Sequence, residues 1–500
     1  MAPVGADTGA AAAWFEAHRD RPPMLRQFLQ RMPKGADLHS HLHGAVYAET
    51  YLDWAAKDHY CVDRARRTLV NPPCAADGAL VSAEALDTAT YNALLDGMST
   101  RNLAEAGQSG HDQFFNSFAV FGGVSSDPGH LAAMLAEVTN RAAAEHVTYL
   151  ELMAIVQGGL VDQLANELAR SPAAAPAPDG SLDLAAMYRW LLDQGLRERV
   201  VAGRAELDRW GADYARLQGC DTATPAPGCT VAVRWLQQSG RTKSPPVVFA
   251  RLAFAFALAQ ADPRVVGLNL VAPEDDRVAL RDYSLQMRML RFLSDQAPGV
   301  KVALHAGELT LGLVPPEALR GHVREAVTVA GARRIGHGAD IGYEDGALDT
   351  LKTMREGRVA VEICLTSNDL ILGVKGRDHP LADYLATGVP VVLASDDQGV
   401  SRIDLTNEYL RAASEHGLSY RQLKQISRNG LTYSFLPGDS LWRDPVRAKP
   451  VAGCARGSLG AIDPAPACRR FLAGSEKARA QWRLEAALTA FEGLKDWRTP

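Results

Sequence analysis

The chain has 500 residues, 47% hydrophobic and 22% charged, enough for one elaborated barrel-type domain or two to three ordinary ones. Its 53 basic and 58 acidic residues leave a net charge of −5, which argues against nucleic acid or an anionic membrane surface as partner and favours a small substrate. No run of about eighteen apolar residues is present to cross a membrane as a helix.

Met1 to Ala13 lacks the basic and apolar regions of a signal peptide, so it reads as a start placed on a mature, exported sequence. Residues 1–32 read as a helical lead-in with Trp14, Phe15, Leu25, Phe28 and Leu29 as apolar positions. Then comes Pro33 to Val46. If Ala36 to Leu42 is a strand, His39 and His41 share one face while Leu38 and Leu42 face the packing side. Two imidazoles at that spacing can be half of a metal site or an ordinary pair; the motif alone does not choose.

Tyr47 to Asp58 reads as helix, and the segment to about Val81 as a loop clipped by Cys61 and Cys74. A helix over Pro128 to His146, with Leu131, Leu135, Val138 and Ala142 on one face, feeds a strand at Val147 to Met153. The next strand is Thr230 to Leu236. The long stretch between, with helices at Leu182 to Leu196 and Arg199 to Leu217, is too much for one connection and reads as an insertion. From there strands at Val265 to Val271, Val300 to Ala306, Arg333 to His337, Ala360 to Leu365 and Val389 to Ala394 alternate with helices. Apolar strands alternating with helices mean a parallel sheet, and eight such units predict an α/β fold of the (β/α)8 TIM-barrel type. The expected layout is a barrel over 33–440, insertions at about 55–115 and 154–229, and a C-terminal helical extension over 441–500 packed on the barrel.

Six of the seven cysteines fall in close pairs, Cys61 with Cys74, Cys220 with Cys229 and Cys454 with Cys468, while Cys364 sits alone in an apolar run. Three short-loop disulfides and one inert thiol are expected, each disulfide worth roughly 3 kcal/mol in the loop-entropy model. That pattern belongs to an oxidising compartment, periplasmic or secreted.

Catalytic residues of a (β/α)8 barrel sit at the C-terminal strand ends. Here those ends read His305-Ala306-Gly307-Glu308, Gly336-His337-Gly338, Thr366-Ser367-Asn368 and Ser395-Asp396-Asp397. Three histidines and a carboxylate suit one catalytic Zn²⁺, which lowers the pKa of bound water; a spare histidine and a spare glutamate then supply a base and an acid.

These motifs, with Pro33-Lys34 to Gly44, Tyr149-Leu150-Glu151, Arg334-Ile335-Gly336-His337-Gly338 and Glu362 to Asn368, resemble the adenosine deaminase family. The likeness covers roughly 33–435 and is strongest to its larger, secreted, growth-factor-type members and their bacterial counterparts. The resemblance implies hydrolytic deamination of adenosine or 2′-deoxyadenosine to inosine or 2′-deoxyinosine plus ammonia, in purine catabolism and salvage. It implies one Zn²⁺ per chain held by His39, His41, His305 and Asp396. Glu308 would protonate purine N1, His337 would act as base and electrostatic stabiliser, and Asp397 would bond N7. Ser367 and Asn368 would support the site from behind.

Five positions depart from the family pattern: His43 where an acidic or amide residue meets the ribose, Ala272 and Pro273 in Ala272-Pro273-Glu274 for Gly-Asp-Glu, Met153 for an arginine, and Gln398 for a proline. They concern how the rest of the ligand is held, so His43, Ala272 and Glu274 join Asp397 as expected substrate-binding residues. Three alternatives remain at this level: a deaminase of another 6-aminopurine (adenine, a modified nucleoside or a nucleotide), a secreted nucleoside-binding or signalling protein, and another barrel hydrolase. The last commonly carries a lysine at the end of the fourth strand, absent from Val265 to Val271. A purine nucleoside is the expected partner, with homodimerisation through the insertions as a further possibility and neither nucleic acid nor membrane.

Overall fold

The computed structural model describes residues 9–74 and 80–498. Met1 to Thr8, which carry most of the mature-start reading, and residues 75–79 of the cysteine-clipped segment lie outside them. The barrel strands are β1 Gly35–His41, β2 Val147–Ala154, β3 Ala232–Gly240, β4 Val265–Val271, β5 Lys301–Ala306, β6 Arg334–His337, β7 Ala360–Ile363 and β8 Val391–Leu393. All eight lie in one sheet in chain order, each parallel to the next. A parallel bridge between Ser40 and Asp396 joins the first strand to the end of the last. The fold is a (β/α)8 barrel.

The alternation within β1 explains its two faces. Leu38 points outward with Tyr149 and Val392 into an apolar cluster with Leu431, Leu484 and Leu488. Those three belong to helices Tyr420–Tyr433 and Glu476–Glu492, so the C-terminal helix covers the outer face of β1. His39 and His41, one residue out of phase, face the barrel interior. The helices Leu405–Ser414 and Tyr420–Tyr433 after β8 were not anticipated, although Ser419 and Gln422 form a capping box that marks the start of the second.

Other elements differ from expectation. The clipped segment is not a plain loop: Cys61–Asp63, Thr68–Val70 and Leu80–Ser82 form an antiparallel sheet. β7 stops at Ile363, because Cys364 turns out of the strand and its carbonyl accepts the Asn368 N–H; Leu365–Leu372 is helix. Between β5 and β6 the helical connection is a short 3-10 turn, Pro316–Leu319, followed by helix His322–Thr328. The three cysteine pairs are disulfides and Cys364 is free and buried.

Helix Gly110–Ser125, at the end of the first insertion, reaches the barrel mouth. His111 Nε2 lies 3.0 Å from Asp275 Oδ1 in the loop after β4, and Nδ1 lies 3.1 Å from Asp112 Oδ1. The hydrogen bond to Asp275, above all, raises the His111 pKa from 6.5 to about 9. Because the folded-state value is the higher one, this pair stabilises fully below about pH 6.5 and loses its contribution as pH rises through about 9. His111→Ala should therefore lower the urea midpoint at about pH 6, with the difference from the parent protein closing above about pH 9. An equal deficit across that range would show that the imidazolium charge is not what holds the helix.

Candidate metal centre and active site

The strand ends bring the expected residues into one cluster. Among the described residues, ligand atoms of His39, His305, His337 and Asp396 lie within 4.8 Å of one another, as do those of His41, Asp396 and Asp397. Asp396 Oδ1 is 3.4 Å from His39 Nε2 and 3.4 Å from His41 Nε2, and His41 Nε2 is 3.3 Å from His305 Nε2. The two groups overlap at Asp396, with His337 in the first and His41 in the second. His337 and Asp396 both have positive φ, 66° and 56°, a strained conformation that directs each side chain to the centre.

The outer nitrogen of each imidazole is held from behind. His39 Nδ1 is 2.7 Å from Glu362 Oε2, His41 Nδ1 3.2 Å from Gln238 Oε1, His305 Nδ1 2.9 Å from Asn269 Oδ1, and His337 Nδ1 3.0 Å from the Asn368 amide. For the first three, an oxygen acceptor at Nδ1 leaves the Nε2 lone pair for a metal. Gln238 and Asn269 were missed in the sequence; they lie on β3 and β4 in step with the inward face, a signal that becomes legible only with the register.

Glu362 is one end of a buried chain. It accepts from Arg334 Nε, whose Nη2 lies 2.6 Å from Glu151 Oε2, and Tyr149 donates to Glu151 at 2.8 Å. The Arg334 guanidinium stacks 3.7 Å from the Phe435 ring. Burial opposes charge on Glu362, but Arg334 and His39 outweigh it and hold its pKa below the usual carboxylate value. Burial also works against protonated His39, yet Asp396 and Glu362 together raise its pKa to about 10. A cation among these donors would take that proton's place.

Glu308 and Asp397 respond oppositely. Burial, then the Asp396 charge, pushes both carboxyls well above their ordinary values, favouring the protonated, hydrogen-donating form. Glu308 Oε1 lies 3.6 Å from His337 Nε2. Gly44 runs against Asp397 so closely that a Cβ there would sit 1.5 Å from Oδ1. Gln398 is accounted for: it accepts from Arg141 at 2.6 Å and donates to Ser395 at 2.8 Å, and Ser395 donates to Asp37 behind the Asp396 turn.

Residues 214–443 match the family model described as adenosine deaminase. The adenosine deaminase of Klebsiella pneumoniae is 40% identical over 139 residues, 28% of this chain and 38% of that one. The adenosine deaminase of Escherichia coli is 36% identical over 154 residues, 30% and 43% of the two chains. Over residues 214–443 the chain is similar to the adenosine deaminase family. It spans only 38% and 43% of those relatives' lengths. Among solved structures, the Arabidopsis N6-mAMP deaminase is similar at TM-score 0.52 and 20% identity, over 84% of this chain and 97% of that one. An amidohydrolase from Burkholderia ambifaria with bound Zn is similar at TM-score 0.53 and 18% identity, over 93% and 94%. At such identities these two show the fold. The family match runs from β3 to β8 and includes His305, Glu308, His337, Asn368, Asp396 and Asp397. His39 and His41 lie outside it and reach the cluster through barrel closure.

Three of the expected residues have these surroundings. The Glu274 carboxylate is engaged by the protein itself: it accepts from the Gly307 and Glu308 N–H groups at 3.2 and 2.9 Å and pairs with His322 at 2.6 Å. With 1% of its surface exposed it braces the Glu308 loop. Ser367 is buried beside the site, but its hydroxyl has no hydrogen-bond partner; Asn368 alone of the pair holds a site residue. His43 is half-buried, its ring nitrogens make no hydrogen bond among the described residues, and burial lowers its pKa.

Ala272 has φ +83°, a conformation suited to glycine. Ala272→Gly removes a strain of about 1–2 kcal/mol and adds roughly 0.5–1 kcal/mol of chain entropy. The urea midpoint should therefore rise by about 0.5–1 kcal/mol equivalent at unchanged slope. A lowered midpoint would mean that the Ala272 methyl makes contacts worth more than the strain.

Proposed function

We propose that the chain is a zinc-dependent hydrolase that deaminates adenosine or 2′-deoxyadenosine to the inosine counterpart and ammonia. The observation that carries this reading is the buried carboxyl of Glu308, its pKa raised by enclosure, beside a cluster of four histidines and Asp396. General-acid chemistry needs such a carboxyl, because an ionised one has no proton to give.

The residues fit a zinc ion. His39 Nε2 is buried without a hydrogen-bond partner, and the nitrogen and carboxylate donors are those zinc prefers. His39, His41, His305 and Asp396 would hold it, and the ion would supply the Lewis acidity that makes water nucleophilic at neutral pH. Glu308 gives its proton to purine N1, drawing electron density from C6. Asp397, also protonated, donates to N7 and orients the ring, while the Ala272 amide faces N3. His337 orients the attacking water. His43, neutral and unpaired, offers either ring nitrogen to a sugar hydroxyl. Its position in place of an acidic residue makes it this chain's own contribution to sugar preference. Three disulfides support an oxidising compartment for this chemistry.

The test is loss of the adenine chromophore on adenosine, 2′-deoxyadenosine, adenine and AMP with the zinc-loaded protein. Conversion of either nucleoside is expected; turnover of AMP or adenine alone would transfer the activity to those substrates, and none at all would overturn it. Glu308→Gln should keep its zinc and lose at least ~10²-fold in kcat. Asp396→Ala should lose zinc, and an unchanged zinc content would remove Asp396 from the donor set.

A further inference from the structure

Behind His337 the structure holds a second buried histidine that the mechanism above does not use. His379 is 3% exposed, in the turn before helix Leu381–Thr387. The Leu381 backbone N–H donates to its Nδ1 at 3.1 Å, and its Nε2 lies 2.8 Å from the Asn368 amide. The other end of that amide lies 3.0 Å from His337 Nδ1. His337, Asn368 and His379 thus form one continuous chain from the active site into the barrel wall.

We propose that His379 is a positioning residue that, through the Asn368 amide, holds His337 in the tautomer carrying its proton on Nε2, aimed at the reacting centre. A backbone N–H can only donate, so His379 Nδ1 is an acceptor. Burial, foremost, depresses the His379 pKa to about 3, so the ring is neutral and its single proton is on Nε2. That N–H must meet an acceptor. With the Asn368 nitrogen placed toward His379, the ring would have to accept at both nitrogens, which a neutral imidazole with one N–H cannot do. The amide oxygen therefore faces His379 and the amide nitrogen faces His337, an exchange of two atoms of nearly equal size on a planar amide. His337 Nδ1 becomes an acceptor, and neutral His337 carries its proton on Nε2.

Two consequences follow. A protonated Nε2 has no lone pair, so His337 drops out of the metal donor set and His41 completes it. His337 also enters turnover as a donor to the attacking oxygen or to Glu308 rather than as the base that takes water's proton. The tautomer itself is independent of the deaminase reading; only its effect on turnover rests on that reading.

The test is nitrogen-15 NMR of the full-length, zinc-loaded, histidine-labelled protein, with the His337 signals identified by their loss in His337→Gln. A protonated Nε2 and a bare Nδ1 on His337 are expected. Asn368→Asp, whose carboxylate only accepts, should move the proton to Nδ1. His379→Gln, which keeps a donor toward Asn368 and an acceptor for Leu381, should preserve the parent tautomer even if His379→Ala does not fold. Where His379→Ala folds, kcat should fall about tenfold or more with KM little changed, and His379→Gln should restore it. A parent protein with Nδ1 protonated, or a His337 signal unmoved by Asn368→Asp, overturns the proposal. If the tautomer is as stated but no 6-aminopurine is converted, the proposal stands and the proposed function falls.

Discussion

The seam between the first and last strands is the constraint on which the molecule depends. Asp396 N–H donates to the His39 carbonyl at 2.9 Å, and His41 N–H donates to the Asp396 carbonyl at 3.1 Å. These bonds close the barrel, and the same three residues project their side chains into the candidate metal centre. Barrel closure and assembly of the centre are one event. A metal ion shared by His39, His41 and Asp396 would cross-link the seam from the inside, so binding and folding would be thermodynamically linked.

Around that seam, burial decides the charge of each carboxyl through its partner. Glu362 and Glu274 are fully enclosed, yet each faces cationic or N–H donors and stays ionised. Glu308 and Asp397 are enclosed with Asp396 as the dominant neighbouring charge, and their pKa values are pushed up. Carboxyls of similar depth are therefore driven in opposite directions by their partners: those facing donors toward the anion that braces loops and rings, those facing Asp396 toward the protonated form. The buried Arg334 between Glu151 and Glu362 is costly to desolvate, and loss of either partner would leave an uncompensated charge beneath the site.

The insertions contribute differently. Helix Leu196–Gln218 and helix Gly158–Ala169 both pack on Pro245–Ala261, thickening the outer wall on one side. Helix Gly110–Ser125 instead reaches the mouth, tied to the β4 loop by His111 and Asp275. That loop also carries strained Ala272 and Glu274, the brace of the Glu308 loop, so the first insertion touches the same segment that orients the proton donor.

Sequence alone determined the barrel, because the alternation of apolar strands with amphipathic helices is a local pattern that survives without coordinates. It also determined which strand ends carry histidines and carboxylates, and the three disulfide pairs, because those depend on residue type and short spacing. It did not determine where β7 stops: the apolar run continues through Leu365, and only the helix-initiating bond from Asn368 to Cys364 ends the strand. Nor could it separate Glu274, which braces a loop, from a ligand-facing carboxylate, since that depends on which way a side chain turns. Gln238, Asn269 and His379 were illegible for the same reason: each acts through a partner at least 11 residues away in the chain. Tertiary structure decided protonation as well. Whether a glutamate is an acid or an anion, and which nitrogen of His337 holds its proton, are properties of enclosure and of neighbours brought together only when the barrel closes.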